Sequence, residues 1–233
     1  LLCREYFGVS RACCHWLKHF GIHAKGVLYN AVDAQEIRRI GENPVKDFRK
    51  EYQIAPDTAL IVYTGRLIKE KGIFKLIEAV KKLDPSWNVC LLIAGDGEEM
   101  GHVRACECER VKALGRLDFQ EIASLLCQTE IYCLPTEYPE GFPTSVLEAA
   151  AAGCYVITTD RGGSRELIQD DSWGKILTEV SAETIRDAIE KALADPSMRR
   201  AAAQKAQQRV NEIYTWKKTA EKVDRLAARG TGK

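Results

Sequence analysis

Glu140 and Glu148 bound the run Glu140-Gly141-Phe142-Pro143-Thr144-Ser145-Val146-Leu147-Glu148, two carboxylates eight positions apart that one helix face does not bring side by side. Eight residues of α-helix advance roughly 12 Å and turn about 80° past two rotations, a spacing that suits a ligand as long as a nucleotide sugar. Pro143 fits the first turn of a helix, where a missing N–H costs nothing, so Glu140 is expected in the loop before it and Glu148 inside it. The unpaired N–H groups at such a helix start suit a diphosphate, with one carboxylate left for sugar hydroxyls and the other for ribose hydroxyls. Taken alone, the pair is better explained by a capped amphipathic helix with incidental glutamates. Other residues change that balance.

Tyr63-Thr64-Gly65-Arg66-Leu67 follows a short apolar run read as a strand, and open parallel sheets bind ligands beyond the carboxyl ends of their strands. Gly65 allows close approach, Arg66 offers a planar fork of donors, and Lys71 adds a mobile charge, a set that could neutralise a departing diphosphate. Gly65 to Gly72 is not followed by Lys and Ser or Thr, so it is not a triphosphate-binding loop. Gly95-Asp96-Gly97 ends a further strand in a turn that structural need alone could explain. Gly115-Arg116-Leu117 follows the next, where Arg116 could lie against a nucleobase or simply serve a strand-to-helix turn. Gly162 and Gly163 permit close backbone approach, and Glu166 falls in a first helical turn. No GxGxxG follows a strand and no GxSxG elbow is present.

The elements that position these residues alternate. Candidate strands run from Gly26 to Tyr29, Leu60 to Thr64, Val89 to Ala94, Val111 to Ala113, Ile131 to Pro135, Tyr155 to Thr158 and Lys175 to Leu177. Helical periodicity covers Ile73 to Leu83, Phe119 to Leu126, Glu140 to Ala152 and Ser181 to Ala194. Stacked β-α units of this kind predict an α/β, Rossmann-like doubly wound parallel sheet. A helix over Val9 to Phe20 precedes it, and two more occupy Ser197 to Arg229, broken near Tyr214 and Thr215.

The chain has 233 residues, 45% of them hydrophobic, with a net charge of +1. That is enough for a substantial core and gives no global field for nucleic acid. Beyond Pro196 the sequence is locally basic: Arg199, Arg200, Lys205, Arg209, Lys217, Lys218, Lys222, Arg225, Arg229 and Lys233 stand against Glu212, Glu221 and Asp224. A solvated helix face explains this better than contact with anionic lipid, though peripheral membrane association stays open. The nine cysteines, several inside apolar runs, read as reduced core residues of a cytoplasmic protein. Cys13, Cys14, His15 and His19, or Cys106 with Cys108, lack the second pair that would complete a tetrahedral zinc site. No spanning segment or export leader is evident, and the start at Leu1 rather than Met is expected of a fragment.

In order and spacing, Gly65-Arg66 with Lys71, Gly95-Asp96-Gly97, Gly115-Arg116, the Glu140-to-Glu148 run and Gly162-Gly163 with Glu166 resemble the donor half of retaining GT-B glycosyltransferases of family four. Val9-Ser10 and Tyr29-Asn30-Ala31-Val32-Asp33 also resemble that family's crossing between domains, with Ala31 where glycine is usual. The resemblance implies that residues 1–25 are a remnant of the N-terminal acceptor domain, that 26–213 bind the nucleotide sugar, and that 214–233 pack back on the missing domain. It further implies that Arg66 and Lys71 hold the diphosphate, Glu148 the ribose, and Glu140 the transferred sugar, with Arg66, Lys71 and Glu140 acting in catalysis. Gly65 and Arg116 complete the donor site, and backbone groups of Gly141, Phe142, Thr144 and Ser145 approach the sugar and phosphates. Expected chemistry is metal-independent transfer from a nucleotide sugar, UDP-linked in the first instance, to a glycan or lipid-linked acceptor with retention and no cofactor. A non-catalytic module docking to a partner chain and a sugar-nucleotide epimerase are the competing readings.

Overall fold

The computed structural model describes residues 5–230. Leu1 and Lys233, which entered the sequence argument, lie outside that range, as do Cys3 and the side chain of Arg229. In chain order the strands are β1 (Phe7–Gly8), β2 (Gly26–Val27), β3 (Ala59–Thr64), β4 (Val89–Ala94), β5 (Val111–Gly115), β6 (Ile131–Leu134), β7 (Tyr155–Thr159) and β8 (Lys175–Leu177). The helices are α1 (Arg11–Lys18), α2 (Ala34–Glu42), α3 (Phe48–Glu51), α4 (Ile73–Lys81), α5 (Met100–Ala105) and α6 (Phe119–Cys127). They continue with α7 (Thr144–Ala152), α8 (Ser164–Leu167), α9 (Ala182–Ala194), α10 (Pro196–Ile213) and α11 (Trp216–Gly230).

Six strands form one parallel sheet in the order β5-β4-β3-β6-β7-β8. The first strand of this sheet, β3, lies in the middle, and the chain builds outward on one side through β4 and β5 before returning to β6. That reversal is the switch point of a doubly wound sheet, where the loops after β3 and β6 diverge and leave a crevice. Helices on both faces require strands apolar on both sides, and β3, β4, β6 and β7 are buried almost throughout. The fold is therefore α/β and Rossmann-like, as the alternation of runs predicts.

Two sequence expectations need correction. Gly26 to Tyr29 does not join the main sheet: β2 is two residues long and pairs with β1 in a separate sheet. The helix assigned to Glu140 to Ala152 begins at Thr144, with Pro143 as its N-cap in an extended conformation. Proline fixes φ but does not oblige its own ψ to be helical, so the chain turns one residue later than Pro143 and Glu140 stays in the loop. The break at Tyr214 and Thr215 is present, and the Lys218 N–H reaches the Thr215 hydroxyl at 3.4 Å, so Thr215 caps α11.

Candidate functional site

The loop after β3 is built on backbone contact. Gly65 donates to the Ala94 carbonyl at 3.1 Å, and the Leu67 N–H donates to Asp96 at 2.9 Å. A Cβ on Gly95, whose φ is +155°, would stand 1.9 Å from the Gly65 carbonyl oxygen. Gly95 and Gly97 are thus required by loop-to-loop packing, whatever else they do. Beneath the loop the buried Tyr63 hydroxyl donates to the Arg66 carbonyl at 2.8 Å, and burial raises this phenol far above its ordinary pKa, so it keeps its proton. Arg66 is therefore anchored by its backbone while its guanidinium points outward over the Tyr138 ring, 5.3 Å from the centroid. Gly65, Arg66, Asp96, Arg116 and Leu117 line an open cleft of about 360 Å³. Neither Arg66 nor Arg116 makes an ion pair among the described residues.

The chain then turns through a single 3-10 segment, Lys69–Lys71, ended by Gly72 at φ +73°. A side chain at Gly72 would meet the Pro135 carbonyl oxygen at 2.1 Å, so glycine lets this turn lie directly against the loop that follows β6. The Glu70 carbonyl accepts from the N–H groups of Glu137 at 2.7 Å and Tyr138 at 3.0 Å, joining the loops on the two sides of the switch point. Across that junction Lys71 Nζ meets Glu140 Oε1 at 2.5 Å, with the two side chains 13% and 10% exposed. Thr136, fully buried, donates its hydroxyl to the same carboxylate oxygen at 3.0 Å. Lys71 Nζ also lies 5.4 Å from the Tyr138 ring centre. Two cations thus share one aromatic ring, and a carboxylate restrains one of them.

Gly141 carries the next link. Its carbonyl accepts from the Ser10 hydroxyl at 2.8 Å and from the Gly163 N–H at 2.9 Å. Gly162, at φ +63°, and Gly163 are explained here by the chain's own packing: a Cβ on Gly162 would stand 2.5 Å from the Glu140 and Gly141 oxygens, and one on Gly163 2.6 Å from the Phe142 ring. Phe142 is buried edge-on against Tyr29 and Tyr214, and its carbonyl accepts from Asn30 at 2.8 Å. Its side chain therefore fixes the loop and is not free to face a ligand; the polar edge of this segment is backbone. Pro143 supplies no side-chain cap to α7, so the first-turn N–H groups of Thr144 and Ser145 have neither a preceding turn nor a cap to donate to.

Glu148 sits in the second turn of α7, half-buried. It has no hydrogen bond or ion pair among the described residues, and burial raises its pKa. A carboxylate withdrawn from water without a partner is unfavourable unless a ligand supplies donors. Glu166, by contrast, is occupied: it accepts from the Arg11 backbone N–H at 2.7 Å and from Tyr29 at 2.8 Å. Burial first, and then this bond, push the Tyr29 hydroxyl up to about 12. Glu166 therefore ties α1 and the segment after β2 to the sheet. Glu140, Gly141, Gly162, Asp160, Arg161, Cys13 and Trp16 line a second cleft of about 360 Å³ beside that junction.

The structure brings Arg66, Lys71 and Glu140 together at the switch point, places Gly65 and Arg116 along one flank, and sets Gly141, Thr144 and Ser145 on the other. Sequence reasoning missed Tyr138 and Thr136, and read Ser10 only as part of the crossing between domains. Ser10 had a readable signal, an N-cap serine before a helical run, but its second bond to Gly141 joins residues 131 positions apart. A larger cavity of about 610 Å³ opens at the amino ends of β3 and β4, lined by Tyr52, Thr58, Trp87 and Arg110. Its guanidinium is committed to the carbonyls of Leu83, Pro85 and Trp87, at 3.2, 2.9 and 2.9 Å. Among the described residues no cluster of three or more His, Cys, Asp or Glu is arranged to hold a metal ion, and the described cysteines are free thiols.

Residues 44–209 match the family described as "Glycosyl transferases group 1", and the chain belongs to that family. It is 28% identical over 222 residues to the lipopolysaccharide 1,2-N-acetylglucosaminetransferase of Salmonella typhimurium, covering 86% of this chain and 55% of that protein. It is 30% identical over 168 residues to the glycogen synthase of Mycobacterium tuberculosis, covering 70% of this chain and 40% of that one. In fold it resembles Anabaena HepE in complex with UDP and glucose, with a TM-score of 0.84 at 20% identity, over 97% of this chain and 63% of that one. The crystallised C-terminal domain of a Francisella tularensis group 1 glycosyl transferase covers 79% of this chain, with a TM-score of 0.66 at 24% identity, and is itself covered over 99% of its length. The chain spans about half the length of the curated relatives it matches. Its architecture is that of the C-terminal half of a GT-B glycosyltransferase.

Proposed function

We propose that this chain is the donor-binding half of a retaining glycosyltransferase, taking its sugar from a nucleoside diphosphate sugar, UDP-linked, for a glycan or lipid-linked acceptor. The observation that carries the reading is the convergence at the switch point of Lys71, Glu140 and the Tyr138-stacked Arg66, beside the uncapped start of α7. Cations and free N–H groups at one place suit a diphosphate leaving group, whose growing charge they would stabilise. In this reading Arg66 and Lys71 hold the two phosphates and the Thr144 and Ser145 amides add hydrogen bonds. Glu148 accepts from the ribose hydroxyls and Glu140, freed from Lys71, from those of the sugar. Arg116 and Gly65 flank the base. The charge is neutralised by protein groups, without a metal ion or cofactor.

Residues 26–213 form the donor unit in this proposal, and residues 1–25 and 214–233 are the segments that meet an acceptor half. UDP in the HepE complex favours a uridine donor. A cytoplasmic site, at the inner face of a membrane where lipid-linked acceptors are met, completes the proposal. Transfer needs both substrates in one closed cleft, so full activity requires the acceptor half.

A thermal-shift screen of UDP-, GDP- and ADP-sugars tests the reading. A ligand at a hundred times its Kd adds about 2.7 kcal/mol of stability. One nucleotide class should raise the melting temperature, and Arg66→Ala or Glu148→Ala should abolish the rise. Shifts unaffected by both substitutions would assign the ligand elsewhere; a bound nucleotide with no transfer after the acceptor half is restored would favour a non-catalytic module.

A further inference from the structure

Tyr138 is in cation–π range of both cations of the site. Arg66 Cζ stands 5.3 Å and Lys71 Nζ 5.4 Å from its ring centre. The ring is held by its backbone: the Tyr138 N–H donates to the Glu70 carbonyl at 3.0 Å and to the Thr136 hydroxyl at 3.1 Å. That hydroxyl in turn donates to Glu140, the partner of Lys71. One short loop therefore fixes the ring, the carboxylate and, through them, both cations. The Tyr138 hydroxyl has no hydrogen bond among the described residues, so the part of this side chain engaged with the cations is the ring.

Two side chains of the same charge repel when they approach, and long side chains lose rotamer freedom when fixed. An aromatic face offsets both costs, because its negative quadrupole attracts a cation without neutralising it. A carboxylate in the same place would hold the cations but compete with an incoming diphosphate.

We propose that Tyr138 is a positioning residue for diphosphate binding: its ring keeps Arg66 and Lys71 gathered, still charged, in the arrangement the diphosphate meets. This rests on the donor-site reading above and adds the element that pre-arranges it. Affinity for the second phosphate then depends on the electron density of the ring, and the phenolic oxygen contributes little.

The test is calorimetric titration of the chain with UDP and with UMP, comparing Tyr138→Phe, Tyr138→Leu and a Tyr138→Phe series with rising ring fluorination. Phe should keep the affinity of the parent. Leu should lower the ratio of UDP to UMP affinity about tenfold, and fluorination should lower it stepwise, since it drains the ring's face at nearly constant shape. A flat fluorine series alongside a strong effect of Lys71→Ala would overturn the role of Tyr138 and leave the donor site standing. Unchanged UDP affinity in both Lys71→Ala and Arg66→Ala would remove the donor site itself. Should the Leu variant not fold, the fluorinated series decides alone.

Discussion

Lys71 and Glu140 form an ion pair of 2.5 Å between loops on opposite sides of the sheet's switch point, with both side chains largely withdrawn from solvent. Each is thereby satisfied by the other in the ligand-free chain. A diphosphate that takes Lys71 must break this pair, and breaking it frees Glu140 for a sugar hydroxyl. The pair thus links phosphate recognition to sugar recognition.

Replacing Glu140 with Gln removes the competitor for Lys71 while keeping its shape. UDP, which lacks the sugar, should bind severalfold more tightly to Glu140→Gln, whereas Lys71→Ala should weaken it by about 10- to 100-fold, the range for losing a charge-assisted contact of ~1.5–3 kcal/mol. Isothermal titration reads both. Weaker UDP binding by Glu140→Gln would contradict the competition.

Glu148 gives a pH dependence of definite sign. Burial raises its pKa in the folded chain above its value of 4.5. The folded state therefore holds this proton more tightly than the unfolded state, and the favourable contribution is complete below the unfolded pKa. It is lost as pH rises through the folded pKa, where the buried carboxyl takes on its charge. Glu148→Gln should raise the melting temperature of the free chain at pH 7 and leave it little changed at pH 4, while abolishing the shift produced by a nucleotide sugar. Equal melting temperatures at pH 7 would show that the carboxylate is not under strain.

Ser10 caps α1, accepting from the Cys13 N–H at 3.0 Å, and donates to Gly141. Ser10→Ala should cost about 1 kcal/mol from the lost cap. That is a fall of roughly 2–4 °C in a chain of this size. Because Gly141 adjoins Glu140, affinity for a UDP-sugar should fall more than affinity for UDP. A uniform loss for both ligands would make Ser10 a helix cap and nothing more.

Two glycines should respond in opposite directions. Gly95→Ala forces a Cβ to within 1.9 Å of the Gly65 oxygen at a φ of +155°, and should cost several kcal/mol and disturb the Arg66 loop. Gly101 lies in α5 with nothing within 4 Å of its added Cβ, so Gly101→Ala should stabilise by about 0.5–1 kcal/mol. Chemical denaturation of the two variants checks both signs.

The six main strands were legible because a parallel sheet covered on both faces demands short, mostly apolar runs: Val89 to Ala94 coincides with β4 to the residue, and Lys175 to Leu177, apolar after its first residue, with the edge strand β8. What escaped had no such pattern. The sequence reading omits β1 and places β2, as Gly26 to Tyr29, in the main sheet; both are two residues long and are set by pairing with each other, a contact that periodicity does not encode. Residue types named Arg66, Lys71 and Glu140, but the reason Gly162 and Gly163 are glycines is the Glu140 to Phe142 backbone pressed against them, a tertiary fact. Tyr138 was invisible for the same reason. An aromatic two residues before a glutamate signals nothing until Arg66 and Lys71 are folded over it.

The most direct test is the position of the β-phosphorus in a crystal of this chain grown with UDP. It should lie between Arg66, Lys71 and the N–H groups of Thr144 and Ser145, with Lys71 released from Glu140. A nucleotide seated in the larger cavity at the amino ends of β3 and β4, against Tyr52 and Trp87, would contradict the account.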